Sequence, residues 1–254
     1  MADYRTINAG VGARSAEIDA GLRAHMNKVY GTMSVGLLVT ALAAWALSNL
    51  AVSATPTEYQ VGVNEYLTSF GYALYVSPLK WVIMLAPLAM VFGFGAVMSR
   101  LSAAATQLYF YAYAALMGLS LSSIFLVFTG TSIALAFFSA AAVFAAMSLW
   151  GYTTGRDLTK MSTFLMVGLI GVIGASLVNL FIGSSVLQTV VSVAGVVVFT
   201  GLTAWDTQRL KSEYFAYAGT QAAEKLAIMG ALSLYLNVIN LFQLLLGLMG
   251  QREE

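Results

Sequence analysis

Polar and apolar residues segregate along this chain into long blocks. Seven stretches carry no charged residue at all: 29–51, 81–98, 103–127, 131–153, 162–183, 185–205 and 226–249. Each approaches or exceeds the roughly 20 apolar residues that a helix needs to cross a bilayer. The runs are continuous and lack the strict alternation of barrel strands, so the pattern predicts seven transmembrane helices. The fold class expected is an all-α polytopic membrane protein. It has a segment 1–28, a seven-helix domain 29–250 with a loop at 52–80, and a tail 251–254.

Two of the seven blocks carry polar stripes. In the sixth, Gln188, Ser192, Gly195, Phe199, Thr203 and Asp206 recur at an average of 3.6 residues, which places them on one helical face. In the seventh, Ser233, Asn237 and Asn240 share a face, with Gln243 nearby. Polar groups in hydrocarbon need partners, so the stripes should face each other or a wet cavity. They line a pathway or ion site, or they simply bond helix to helix, at about 0.6 kcal/mol per contact on average. Asp206 abuts the end of its block, beside Trp205 and one turn before Arg209, and pairing at i+3 is its plainer reading. Arg100 ends the second block, where a positive anchor is the plainer reading. Counted from Leu226, Asn237 lies about 16 Å deep, whereas Asp206 stands nominally at the surface. The two meet only if one helix is displaced from its count or a vestibule opens.

Composition narrows the class. Of 254 residues, 59% are hydrophobic and 9% charged, against about 25% charged in soluble domains. Mean hydropathy is +0.82. A soluble globular protein is excluded. The +1 formal charge, without a basic stripe, argues against nucleic acid as a partner. With no cysteine and one histidine, His25, thiolate chemistry and His-based metal sites are not expected. No P-loop or HExxH occurs, and Asp206 is the one carboxylate touching an apolar block, so no enzymatic activity and no resident cofactor are expected. Ten of the 12 basic residues fall on one side if the N-terminus is cytoplasmic, which puts the C-terminus outside. Residues 1–28 are polar and contain no signal-peptide core.

Smaller features complete the reading. Ile18, Leu22, Met26 and Val29 recur at helical spacing, as a short amphipathic helix or a frayed leader. The tyrosines of loop 52–80 suit the interface. Pro87 should kink the second helix. Gly95 with Ser99, and Gly171 with Ala175, form small-xxx-small pairs expected to pack helices closely. Tyr109, Tyr111 and Tyr113 read as a belt at the membrane entry.

The segments AWDTQRLK (204–211) and ALSLYLNVINLFQLLLGLMG (231–250), with MSR (98–100) closing the second block, resemble the Bax inhibitor-1 family. The resemblance implies a central helix ringed by the others and a pH-sensitive calcium leak. In eukaryotes it implies suppression of cell death, and in some bacterial members modulation of a membrane-bound protease. It also implies a pore closed at its cytoplasmic end by two aspartates on the last two helices, with an arginine from the second helix nearby. Asp206 matches the first aspartate and Arg100 the arginine. The second aspartate falls at position 237, where this chain has Asn237.

That departure has a physical meaning. Two close carboxylates titrate as one unit, and an Asp–Asn pair lacks their repulsion. The expectation is a passive cation conduit with weakened pH gating. Asp206 and Asn237 would act as weak, transient calcium ligands, Arg100 would pair with Asp206, and Asn240, Ser233 and Thr203 would support them. The alternative is a non-conducting regulator of a membrane protease or stress response. The expected setting is the bilayer of a bacterial inner membrane, crossed several times.

Overall fold

The computed structural model describes residues 4–62, 65–220 and 222–251, with side chains from Asp19 onward except those of Val97 and Met98. The helices are α1 (Tyr4–Ala51), α2 (Ser69–Tyr75), α3 (Leu79–Arg100), α4 (Ala103–Leu121), α5 (Ile124–Val127), α6 (Gly130–Thr153), α7 (Thr159–Ile182), α8 (Ser185–Tyr217) and α9 (Ala222–Met249). Among the described residues, seven helical segments are long and apolar enough to cross a membrane, and they correspond to the seven blocks. The third block is interrupted at Ser122, whose hydroxyl donates to Leu119 O (2.7 Å) and accepts from Tyr75 (2.8 Å). The loop after α1 folds into a small antiparallel sheet, β1 (Val52–Ser53), β2 (Gln60–Gly62) and β3 (Glu65–Leu67), in the order β1-β3-β2. Thr68 caps α2 by accepting from Gly71 N, and donates to Leu50 O. α3 continues through Pro87, which supplies no donor to its own turn.

α9 is the post of the bundle. It packs against α1, α4, α6 and α8, and Ala231, Leu234, Tyr235 and Leu241 are wholly buried along it. Tyr235 stands edge-on to Phe110 (5.5 Å between centroids) and donates to Thr40 Oγ1 (2.6 Å). Thr40 in turn donates to Ala114 O (2.8 Å), so one chain of hydrogen bonds joins α9, α1 and α4. A second chain runs from Tyr30 through Ser148 to Thr207, joining α1, α6 and α8. α3 and α7 are peripheral, packed mainly on α4 and α8 respectively.

The amphipathic approach and the first block are one helix. Leu22, Met26 and Val29 are buried against Leu210, Ala227, Ile228 and Ala231; the side chain of Ile18 lies outside the described residues. Lys28 reaches Glu224 at 3.1 Å across the same end. This cluster explains the boundaries. α8 has 33 residues, about 50 Å of helix, against about 30 Å of hydrocarbon. Part of it must stand clear of the lipid, and Ala227, Ile228, Ala231 and Leu232 are apolar because protein covers them.

The small-residue pairs do not pack helices. A side chain built on Gly95 or Gly171 would meet nothing within 4 Å, because α3 and α7 turn these faces outward. The close approaches lie elsewhere: a Cβ on Gly151 would overlap the backbone of Ala204, and one on Gly118 would come within 2.5 Å of Thr40 O. Tyr113 also departs from the belt reading, being buried against Tyr235. Gly151→Leu is expected to lower the detergent melting temperature, by about 1–3 kcal/mol of stability or more since backbone cannot yield. Gly171→Leu should leave it unchanged.

Candidate functional site

The antiparallel register of α8 and α9 sets the site. Gly195 lies against Leu244, and Gly230 against Leu210. Asp206 is thereby level with Ser233, and Asn237 lies one turn further along. The mismatch in depth disappears because both helices run past the membrane end of their apolar blocks.

Asp206 is 4% exposed and its carboxylate is fully engaged. Oδ1 accepts from Arg209 at 2.8 Å. Oδ2 accepts from the Ser233 hydroxyl and from Asn237 Nδ2, both at 2.8 Å. α8 therefore supplies the acid and its cation, and α9 supplies two neutral donors. The Arg209 guanidinium stacks 4.9 Å over the Trp205 ring, and its Nε lies 3.7 Å from Glu213 Oε1. Sequence reading left out Glu213 and the Trp205 platform, although Arg209 and Glu213 stand at ion-pair spacing on one helix.

These groups form the polar end of a cleft of about 630 Å³. Its flanks are α3 (Met84, Pro87, Leu88) and α7 (Met166, Leu169, Ile173). Its α9 wall carries Ser233, Asn237, Asn240 and Gln243, a polar line about 15 Å long by helical rise. Beyond it the path is apolar: a Cβ on Gly195 would stand 2.7 Å from Leu244, with Val172 also in contact. The far polar residues of the α8 stripe serve the α7–α8 turn, where Gln188 accepts from Asn179 Nδ2 and Gly183 ends α7 at φ +67°.

The remaining expected residues are placed as follows. Arg100 ends α3 on an exposed surface, and the ion-pair partner of Asp206 is Arg209 rather than Arg100. A peripheral helix that packs mainly on α4 does not carry its last residue to α8. Thr203 is buried and donates to Phe199 O within its own helix. Asn240 faces the cleft, with its amide on Leu236 O of its own helix at 2.7 Å. Asp206 and Asn237 do come together, through the amide nitrogen, which turns the Asn237 carbonyl oxygen away from the carboxylate. Among the described residues no group of three His, Asp or Glu side chains is placed to hold a metal. Calcium takes six to eight oxygens, more than Asp206, Ser233 and Asn237 bring together here.

A double-mutant cycle between Asp206→Ala and Asn237→Ala, read by thermal unfolding in detergent, should give a coupling of about 1–2 kcal/mol. That exceeds the ~0.6 kcal/mol average because the acceptor is charged and buried. Asn240→Ala should change stability by less than about 0.5 kcal/mol, since no other helix depends on it.

Known proteins align along almost the whole chain. The family described as "Inhibitor of apoptosis-promoting Bax1" matches residues 22–254. The Rickettsia prowazekii protein RP147 is 42% identical over all of both chains. The inner membrane protein YbhL of Escherichia coli is 45% identical over 92% of this chain and 94% of its own. A protein of Caulobacter vibrioides is 40% identical over 93% of this chain and 92% of its own. With seven membrane-length helices and a match that includes the paired stripes of α8 and α9, the chain belongs to the Bax inhibitor-1 family of membrane proteins.

Proposed function

We propose that this protein is a passive cation conduit, with calcium as its cargo, seated in a bacterial inner membrane with its N-terminus in the cytoplasm. The location is supported by the similarity to YbhL, an inner membrane protein, and the orientation by the distribution of basic residues. The observation that carries the reading is Asp206: a buried carboxylate at one end of a cleft whose α9 wall continues as Ser233, Asn237, Asn240 and Gln243. The conformation described is then the closed one, latched at Asp206 and sealed further out by Leu244 on Gly195.

Opening requires Arg209 to leave Asp206, and Glu213 stands beside it as an alternative partner at 3.7 Å. A freed carboxylate with the Ser233 hydroxyl and the Asn237 carbonyl offers a cation a few oxygen ligands, enough for transit. Asn237 also determines the pH response. An aspartate here would need a proton to donate to Asp206, so the latch would weaken as that proton leaves. The Asn237 amide donates with no proton to lose, and its bond persists as pH changes.

One observation favours a second reading, a non-conducting regulator of a membrane-bound protease. Both oxygens of Asp206 are already answered by the protein, and a cation has to displace Arg209.

Calcium flux in liposomes between about pH 5 and 8 separates the two. The conduit reading expects the wild type to leak with a shallow pH profile, Asp206→Ala to change the leak, and Asn237→Asp to steepen the profile. If the wild type is silent and Asn237→Asp conducts, the scaffold is a pore put to another use. Silence from all three folded proteins removes conduction and leaves the regulator. In this cysteine-free chain, Gln243→Cys should react with a water-soluble thiol reagent if the cleft is wet, while Thr203→Cys should not.

A further inference from the structure

The opposite side of α9 carries a second feature that the cleft does not use. α1 and α6 run antiparallel over α9 and leave a seam between them. Two cavities lie along it. One, of about 310 Å³, is lined by Leu37, Ala41, Ala134, Phe137, Phe138 and Phe242, among others. Its Thr40 hydroxyl is already bonded to Tyr235 and Ala114, so the cavity offers an occupant only apolar contact. The other, of about 450 Å³, lies toward the end that bears Lys28 and Lys211, and its polar lining is Arg23, Asn27, Tyr30, Ser148 and Tyr152.

The two cavities differ in kind along the seam. At the polar one, Arg23 and Asn27 are exposed, and Arg23 makes no ion pair among the described residues. Lys211 stands 5.2 Å over the ring of Tyr152 and adds a second positive charge beside the cavity. Among the described residues no carboxylate lines either cavity. The seam is therefore cationic at one end and apolar at the other. Arg23 and Leu37 are fourteen residues apart on α1, about 21 Å of helix. One leaflet with its headgroups is about 20–22 Å thick.

We propose that this seam binds one anionic phospholipid, its phosphate end at Arg23 and Asn27 and an acyl chain reaching Leu37 and Phe138 at the near edge of the apolar cavity. Charge fixes the polarity of the ligand, since a zwitterionic headgroup would bring an ammonium toward Arg23 and Lys211. The spacing of the cavities suits a single lipid of that leaflet. Lipid bound here would fill the space between α1 and α6 and brace the post helix from the side opposite the cleft. The proposal does not depend on whether the protein conducts.

Native mass spectrometry of protein released from nanodiscs of equal phosphatidylglycerol and phosphatidylcholine tests it. The wild type should retain one phosphatidylglycerol in preference to phosphatidylcholine by several-fold. Arg23→Gln, at an exposed position that does not threaten folding, should bring retention to parity. Ala145→Trp, also at an exposed position and lining the polar cavity where the acyl chain leaves it, should block the seam and abolish retention of both lipids while the lipid-free melting temperature is kept. Parity in the wild type, preference kept in Arg23→Gln, or retention kept in Ala145→Trp would each overturn the proposal.

Discussion

A buried carboxylate has to be answered from within the protein, and the way Asp206 is answered fixes how the last two helices sit. Its cation comes from α8 and its two neutral donors from α9. Bringing the Ser233 and Asn237 donors to one oxygen sets the register of the pair. That register carries Leu210 onto Gly230 at one end and Leu244 onto Gly195 at the other. Sliding α9 by a turn would carry one of the two donors out of reach of the carboxylate and drive both leucines into new neighbours. Hydrogen bonding and packing therefore specify the same arrangement, and the other helices assemble around it.

Much of this architecture was legible in the chain. Seven charge-free blocks gave seven helices, because lipid tolerates no unpaired backbone and few charges. The stripes through Asp206 and Asn237 met as helical periodicity requires. The ends of the sixth and seventh helices were less legible. Ala227, Ile228 and Ala231 look like membrane, yet they are covered by Leu22, Met26 and Val29 of α1. Apolarity records burial and does not say whether lipid or protein does the burying. The same limit applies to glycines: Gly171 and Gly151 look alike in sequence, but only Gly151 meets a neighbouring backbone. Whether a small residue is needed depends on which helix lies opposite, and that is a tertiary fact.

Arg100 and Arg209 illustrate a second limit. Both stand near the ends of apolar blocks, and either can be drawn beside Asp206 on paper. Arg209 wins because one helical turn separates it from the carboxylate, so pairing orders little beyond its own side chain. The Trp205 ring beneath the guanidinium holds it further. Asn237 shows what a single atom changes. The geometry of the bond to Asp206 is one a protonated aspartate would also give, but the amide makes it without reference to the proton concentration.

The central position of α9 has a consequence for how the protein is made. The helix that touches α1, α4, α6 and α8 leaves the ribosome after all four of them. Tyr235 finds Thr40 across 195 residues of chain, and Lys28 finds Glu224 across 196. Until that late arrival the surfaces that will enclose α9 have no partner, and Asp206 has only Arg209. Assembly cannot close from the N-terminus onward. The faces of α1, α4, α6 and α8 must remain open to admit α9, and its insertion completes the core and the carboxylate's hydrogen bonds together.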